Sequence, residues 1–129
     1  MANRDKVTVR FTANFEANLT LIETFWTKNK HPQSFDRLLD ELGDTVIPNL
    51  ERFPGIGRPF LKSQAESVEA LARLEKIESR IAKLDGKGEL REYVMEEYLV
   101  LYAVLKSAVY LLAIKHQKQL AFDFAPITP

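Results

Sequence analysis

The chain has 129 residues, with 18 basic and 18 acidic side chains and no cysteine. This length fits one domain, and an apolar fraction of 46% is enough to fill a core. The absence of cysteine excludes disulfides and Cys-ligated metal sites. Because the charges balance, any basic surface must be local, which argues against broad contact with nucleic-acid phosphates.

The sequence has neither the pattern of a secretory signal nor that of a membrane span. Its charged N-terminus is not followed by an apolar core. The most apolar stretch, Tyr98 to Ile114, is broken by Lys106 and Ser107 and falls short of the roughly 20 residues that cross a bilayer. We therefore expect residues 1–129 to form one cytoplasmic domain.

The N-terminal region predicts a strand followed by a helix. Lys6–Phe11 alternates polar and apolar residues, as a half-buried strand does. Thr12 or Asn14 can cap the helix that follows, which runs to about Lys30. The apolar stripe of this helix consists of Phe15, Leu19, Ile22 and Trp26, widened by Leu21 and Phe25.

A second helix should begin near Pro32 and pair with the first as a helical hairpin. Gly43 and Pro48 fit poorly into an unbroken helix, so a kink or a restart is expected near Asp44. The residues from Pro54 to Pro59 are rich in proline and glycine and predict a loop.

A third helix is predicted from Ser63 to Leu84, because apolar residues recur there every three or four positions. Gly86 is placed to cap its C-terminus. The apolar stripe can pack back on the domain, or it can meet a partner protein or a second copy of the chain. The sequence allows both arrangements.

The C-terminal region predicts a three-stranded antiparallel meander, so the fold class is α+β. Its strands are Leu90–Met95, Tyr98–Leu105 and Val109–Ile114, with a tight turn at Glu96-Glu97 between the first two. The middle strand is apolar on both faces and therefore belongs in the centre of a sheet that is covered on both sides. Residues 120–129 read as a C-terminal tail that contains two phenylalanines and two prolines.

This order of elements resembles the RelE/ParE toxins of type II toxin–antitoxin systems. Individual residues also support the resemblance. They occur in the same order as in the family and are spread over most of the chain. They are Phe25-Trp26 near the end of the first helix, Pro54-Gly55-Ile56-Gly57-Arg58 after the second, Leu90-Arg91, Tyr98 with Tyr102, and His116-Gln117-Lys118-Gln119. Compared with the family, residues 62–86 are an inserted amphipathic helix.

The resemblance implies a growth-inhibiting toxin that is neutralised by a cognate antitoxin and needs no cofactor. The residues from His116 to Gln119 are more similar to the ParE branch, the plasmid-stabilisation toxins, than to the RelE branch. That branch binds a macromolecular target, which is taken to be DNA gyrase. Antitoxins of this class order a tail on binding, and the groove beside the helical hairpin is the expected docking site. A homodimer through the inserted helix is a further arrangement that the sequence allows.

Two alternatives remain. A RelE-like, ribosome-dependent mRNA endoribonuclease would use Arg91 to stabilise the phosphate, with His116 or Tyr102 moving protons. A non-toxic interaction module of the same fold is the other alternative. Each candidate also has a purely structural explanation: Tyr102 as sheet core, His116 as a hydrogen-bonding cap of the sheet edge, and Arg91 as the anchor of a loop.

Five basic residues are candidates for contact with the target or the antitoxin. The two histidines lack the spacing of a metal site with a third ligand, so no metal is expected. The candidates for binding are Arg58, Arg91, Lys115, His116 and Lys118.

Overall fold

The computed structural model describes residues 6–60, 67–106, 108–119 and 122, which form an α+β fold. The predicted inserted helix and C-terminal tail therefore lie partly outside the described residues. The strands are β1 (Thr8–Phe11), β2 (Arg58–Pro59), β3 (Glu89–Val94), β4 (Tyr98–Leu105) and β5 (Ala108–His116). The helices are α1 (Ala13–Lys28), α2 (Pro32–Glu41), α3 (Ile47–Arg52) and α4 (Val68–Leu84).

All five strands belong to one mixed sheet, in the order β1-β5-β4-β3-β2. The strands β3, β4 and β5 form the antiparallel meander, while β1 runs parallel to β5 at one edge. At the other edge the predicted loop after α3 contains the short strand β2, in which Arg58 and Pro59 pair with Glu92 and Arg91. The first strand is therefore part of the sheet, which is wider than the meander alone.

Helix α1 begins directly after the edge strand β1, and its first residues lie beside β5. Of the two predicted capping residues, Thr12 and Asn14, the cap is Thr12, whose hydroxyl accepts a hydrogen bond from the N–H of Phe15. Polar side chains at the start of α1 then bind the backbone of β5, which keeps that edge satisfied. These bonds join Thr12 Oγ1 to the Leu111 oxygen (2.8 Å), Asn14 Nδ2 to the Leu112 oxygen (2.9 Å) and the Ile114 nitrogen to Asn18 Oδ1 (3.0 Å).

The kink predicted near Asp44 is confirmed as a π-helical turn, Leu42–Val46, between α2 and α3. Pro48 lies in the first turn of α3, directly after this π-helical turn, where its fixed φ suits the helix but it has no N–H to donate. Helices α2 and α3, joined by the π-helical turn, together reach the loop that leads to β2.

The two faces of the sheet are covered by different helices. The hairpin of α1, α2 and α3 covers one face, with Phe15 and Leu50 fully buried against Val100, Tyr102 and Leu111. Helix α4 covers the opposite face, where Leu74 packs with Leu101 and Ala113. The middle of the apolar stripe of α4 thus packs back on its own domain, as one of the two readings expected. Val68 and Leu84, at the two ends of α4, are exposed.

Candidate functional site

The predicted site residues fall into two groups at different places on the sheet. Arg58, Arg91 and Tyr102 surround the loop that connects α3 to β2. Lys115, His116 and Lys118 lie where β5 ends. The two groups differ in burial and in chemistry.

Tyr102 holds the loop from beneath. Its side chain is fully buried, and its hydroxyl donates to the Pro54 oxygen (2.9 Å) and accepts from the Gly57 N–H (2.8 Å). Burial raises the pKa of Tyr102 above its ordinary value of 10.0, against the lowering effect of the Gly57 hydrogen bond. With both hydrogen-bonding roles in use, this hydroxyl anchors a loop and stays protonated near neutral pH.

The two arginines of this group are also engaged within the protein. Arg91 donates from Nη1 to the Gly57 oxygen and from Nε to Glu89 Oε2 (2.7 Å). Arg58 donates from Nε (2.8 Å) and Nη2 (2.6 Å) to one oxygen of Glu92. The side chain of Glu92 is only 2% exposed, whereas that of Arg58 is 56% exposed. Arg58 therefore neutralises a buried carboxylate and still presents part of its guanidinium to solvent.

His116 ends β5 on the hairpin side of the sheet. Its ring packs edge-on against Tyr98 at a centroid distance of 5.2 Å. Its Nδ1 accepts the backbone N–H of Lys118 (3.1 Å), which places the ring proton of that tautomer on Nε2. In that tautomer Nε2 donates to a partner group rather than removing a proton from one. This arrangement matches the predicted role of His116 as a cap of the sheet edge.

Lys115 was predicted to contact the target or the antitoxin, but its side chain lies on the opposite face of the sheet from that of His116. Successive residues of a strand point to opposite faces, so Lys115 faces the α4 side while His116 faces the hairpin. The ammonium of Lys115 donates to the Gln119 oxygen (2.7 Å) and lies 5.3 Å from the ring centroid of Phe122. Lys115 is buried and cannot act together with His116 at one surface.

The register of the sheet also separates Arg91 from His116. Arg91 pairs with Tyr102, and His116 pairs with Tyr98, four residues away along β4. With about 3.4 Å per residue and about 4.8 Å per strand, their Cα atoms lie roughly 17 Å apart across the sheet. Groups that act on one phosphate must each come within about 3 Å of the reacting atoms. Because the guanidinium of Arg91 is also turned toward Gly57 and Glu89, the two side chains are not brought to a common centre.

An apolar groove lies between the C-terminal half of α1 and the end of β5, with a volume of about 420 Å³. Trp26 and Tyr98 form its floor and are joined by a hydrogen bond from Trp26 Nε1 to the Tyr98 hydroxyl (3.0 Å). Burial is the main cause that raises the pKa of Tyr98 above 10.0. Leu21 and Phe25 are exposed on the α1 side, and His116 and Lys118 lie on the β5 side. The groove thus combines an aromatic floor with hydrogen-bond donors at one rim.

Two features of these sites were missed in the sequence. The alternation of β3 places Glu92 on the same face as Leu90, and a charged residue in an apolar row is a signal for a buried ion pair. Its partner Arg58 comes from a segment that was read as loop, so no pattern linked them. Leu21 and Phe25 were read as part of the buried stripe of α1, but they form the exposed wall of the groove.

Within the described part of the chain, no cluster of three metal-ligating side chains is placed to hold an ion. Among the same residues, no helix is long and apolar enough to cross a membrane.

Comparison with known proteins gives little direct guidance. No family model matches the chain, and no curated protein matches it. Among solved structures, the chain is similar to one from the crystal structure of the toxin–antitoxin complex RelBE2 of Mycobacterium tuberculosis. The identity is 16% and the TM-score 0.48, over 88% of this chain and 94% of that chain. The function of this chain must therefore be inferred from its own residues.

Proposed function

We propose that this protein is a ParE-like toxin of a type II toxin–antitoxin system, which inhibits growth by binding a macromolecular target, with DNA gyrase as the expected target. The observation that carries the proposal is the groove between α1 and β5, because it is built for a protein segment. Its floor is aromatic and apolar, and its polar groups are few and lie at one rim. These are the properties of a site that buries apolar anchors of a partner.

The arrangement of the remaining candidates favours binding over cleavage. Arg91 is committed to Gly57 and Glu89, and His116 lies two strands away from it on β5. Both observations weigh against a ribonuclease centre formed by these two residues. Arg58, His116 and Lys118 are then binding residues, and Lys115 supports the fold beneath Phe122.

The groove is the proposed seat of the antitoxin. Lys118 and the Nε2–H of His116 favour a carboxylate on the occupant, while Phe25 and Trp26 favour apolar side chains. An antitoxin tail with acidic and apolar residues meets both demands, and it would become ordered on binding. A non-toxic interaction module would use the same groove, so the growth phenotype separates the two functions.

The test is expression of the chain in a bacterium without any antitoxin, with growth, DNA-damage signalling and translation rate measured together. The proposal predicts filamentation and damage signalling while translation continues. A prompt fall in translation with cleaved mRNA would replace the proposal with the ribonuclease function and make Arg91 and His116 the first residues to mutate. Unaffected growth would overturn the toxin function.

The groove is tested separately, with the purified cognate antitoxin. Phe25→Ser removes an exposed aromatic wall of the groove and should weaken antitoxin binding by about tenfold or more. Leu39→Ser is the matched control, because Leu39 is an exposed apolar residue on α2 outside the groove. Equal affinities of the two variants would contradict the placement of the antitoxin in this groove.

A further inference from the structure

The loop between α3 and β2 exposes two large apolar side chains on one tight turn. Phe53 is 60% exposed and Ile56 is 52% exposed. The N–H of Ile56 donates to the Phe53 oxygen (2.9 Å), which closes a turn with Pro54 at its second position. Single exposed apolar residues are ordinary, but two at the ends of one closed turn form a protruding apolar knob.

This knob is rigid, because the loop is fastened at several points. The Tyr102 hydroxyl binds both Pro54 and Gly57 from below, and Arg91 binds the Gly57 oxygen from the side. Gly57 has no room for a side chain, since a Cβ atom there would come within 2.6 Å of the Glu92 oxygen and of the Tyr102 hydroxyl. A loop that is already ordered loses little conformational entropy when a partner binds it.

Two arginine side chains flank the knob, one of them ion-paired with the buried Glu92. Arg52 ends α3 and is exposed, and Arg58 follows the knob with more than half of its side chain in solvent. Nε and Nη2 of Arg58 both donate to one oxygen of the buried Glu92 carboxylate. Nη1 and the outer part of the guanidinium therefore face outward. A surface that combines an apolar pocket with a carboxylate at its border is complementary to this loop.

We propose that this loop, Phe53 to Arg58, is the surface that contacts the cellular target, which is a protein with an apolar pocket bordered by carboxylates. The inference rests on the proposed toxin function and goes beyond it by separating the two partners of the toxin. The loop lies over Tyr102 near the β2–β3 edge, whereas the groove lies over Tyr98 near the end of β5. An antitoxin in the groove then excludes the target through its bulk rather than by using the same contacts.

The experiment compares two double variants by growth inhibition and by binding to the purified cognate antitoxin. Phe53→Ser with Ile56→Ser removes the knob, and growth inhibition should fall by about tenfold or more in the expression level it requires. Antitoxin binding and the thermal unfolding midpoint should stay near those of the wild type. Val68→Ser with Leu84→Ser is the matched control, since both residues are exposed apolar side chains on α4, away from the loop. That variant should remain toxic.

A second pair of variants keeps the test decisive if the double variant does not fold. Ile56→Glu and Ile56→Lys change the same exposed position, and the Glu variant should lose more growth inhibition because it meets the carboxylates of the target. A loop variant as toxic as the wild type would overturn the inference while the toxin function stands. Loss of antitoxin binding by a folded loop variant would also overturn it, because the loop would then belong to the antitoxin surface. If the wild type itself does not inhibit growth, the proposed function fails first.

Discussion

The hydroxyl of Tyr102 should contribute strongly to the free energy of unfolding, because it makes two hydrogen bonds to the loop. Tyr102→Phe keeps the buried ring but removes the donor to Pro54 and the acceptor of the Gly57 N–H. Gly57 is buried and Pro54 is half-buried, so neither group recovers a full bond to water. A buried polar group that loses its partner costs about 1–3 kcal/mol. The free energy of unfolding should therefore fall by about 2–4 kcal/mol.

Tyr93→Phe is the matched control for this prediction. The Tyr93 hydroxyl accepts one hydrogen bond, from Asn49 Nδ2 (3.0 Å), and lies where the side chain is only half-buried. Its removal should lower the free energy of unfolding by about 1 kcal/mol or less. Urea unfolding followed by the fluorescence of Trp26, the one tryptophan of the chain, measures both variants. Amide hydrogen exchange at Gly57 should accelerate in Tyr102→Phe alone. Equal losses of stability in the two variants would refute the role of Tyr102 as the anchor of the loop.

Three further predictions concern the same fold. Gly57→Ala should lower the free energy of unfolding by about 1–3 kcal/mol, because its Cβ meets backbone and a buried hydroxyl at 2.6 Å. Gly55→Ala, with nothing within 4 Å, should change it by less than about 0.5 kcal/mol in the same urea titration, and a reversed order would contradict the packing of the loop. Lys30→Gly should raise the thermal midpoint and add about 0.5–1 kcal/mol, since Lys30 has a left-handed backbone with φ of 57°. A lower midpoint would exclude strain at that residue. Burial raises the pKa of Tyr98 and Tyr102 above 10.0, so the unfolded chain releases these protons first as the pH rises. Stability should therefore be independent of both groups below about pH 9 and fall as the pH rises above about 10 toward the raised pKa values, and a fall of the same size in the double Phe variant would contradict this cause.

Much of the fold follows from patterns that the sequence displays directly. The side chains of β4 are apolar on both faces of the sheet, so both faces must be covered. The helical hairpin covers one face and α4 covers the other. Thr12 is a capping residue just before an apolar stripe, and Gly43 with Pro48 marks the point where a regular helix is interrupted. Such features can be predicted because they depend on residues that are close together in the sequence.

The parts that escaped prediction depend on contacts between distant segments. Nothing local pairs Arg58 with Glu92 or places Pro59 in a sheet, because that pairing joins residues 34 positions apart. The separation of Arg91 from His116 depends on the register between three strands, which a sequence pattern does not specify. The basic residues could therefore be identified from the sequence as candidates, but their grouping into two places could not.

In the proposed function, this protein acts by binding its target and carries out no cleavage. Purified protein added to translating ribosomes and, separately, to a gyrase supercoiling reaction tests the claim most directly. We expect intact mRNA at every codon and a concentration-dependent loss of supercoiling that added antitoxin reverses. Cleaved mRNA on the ribosomes, with supercoiling unaffected, would contradict it.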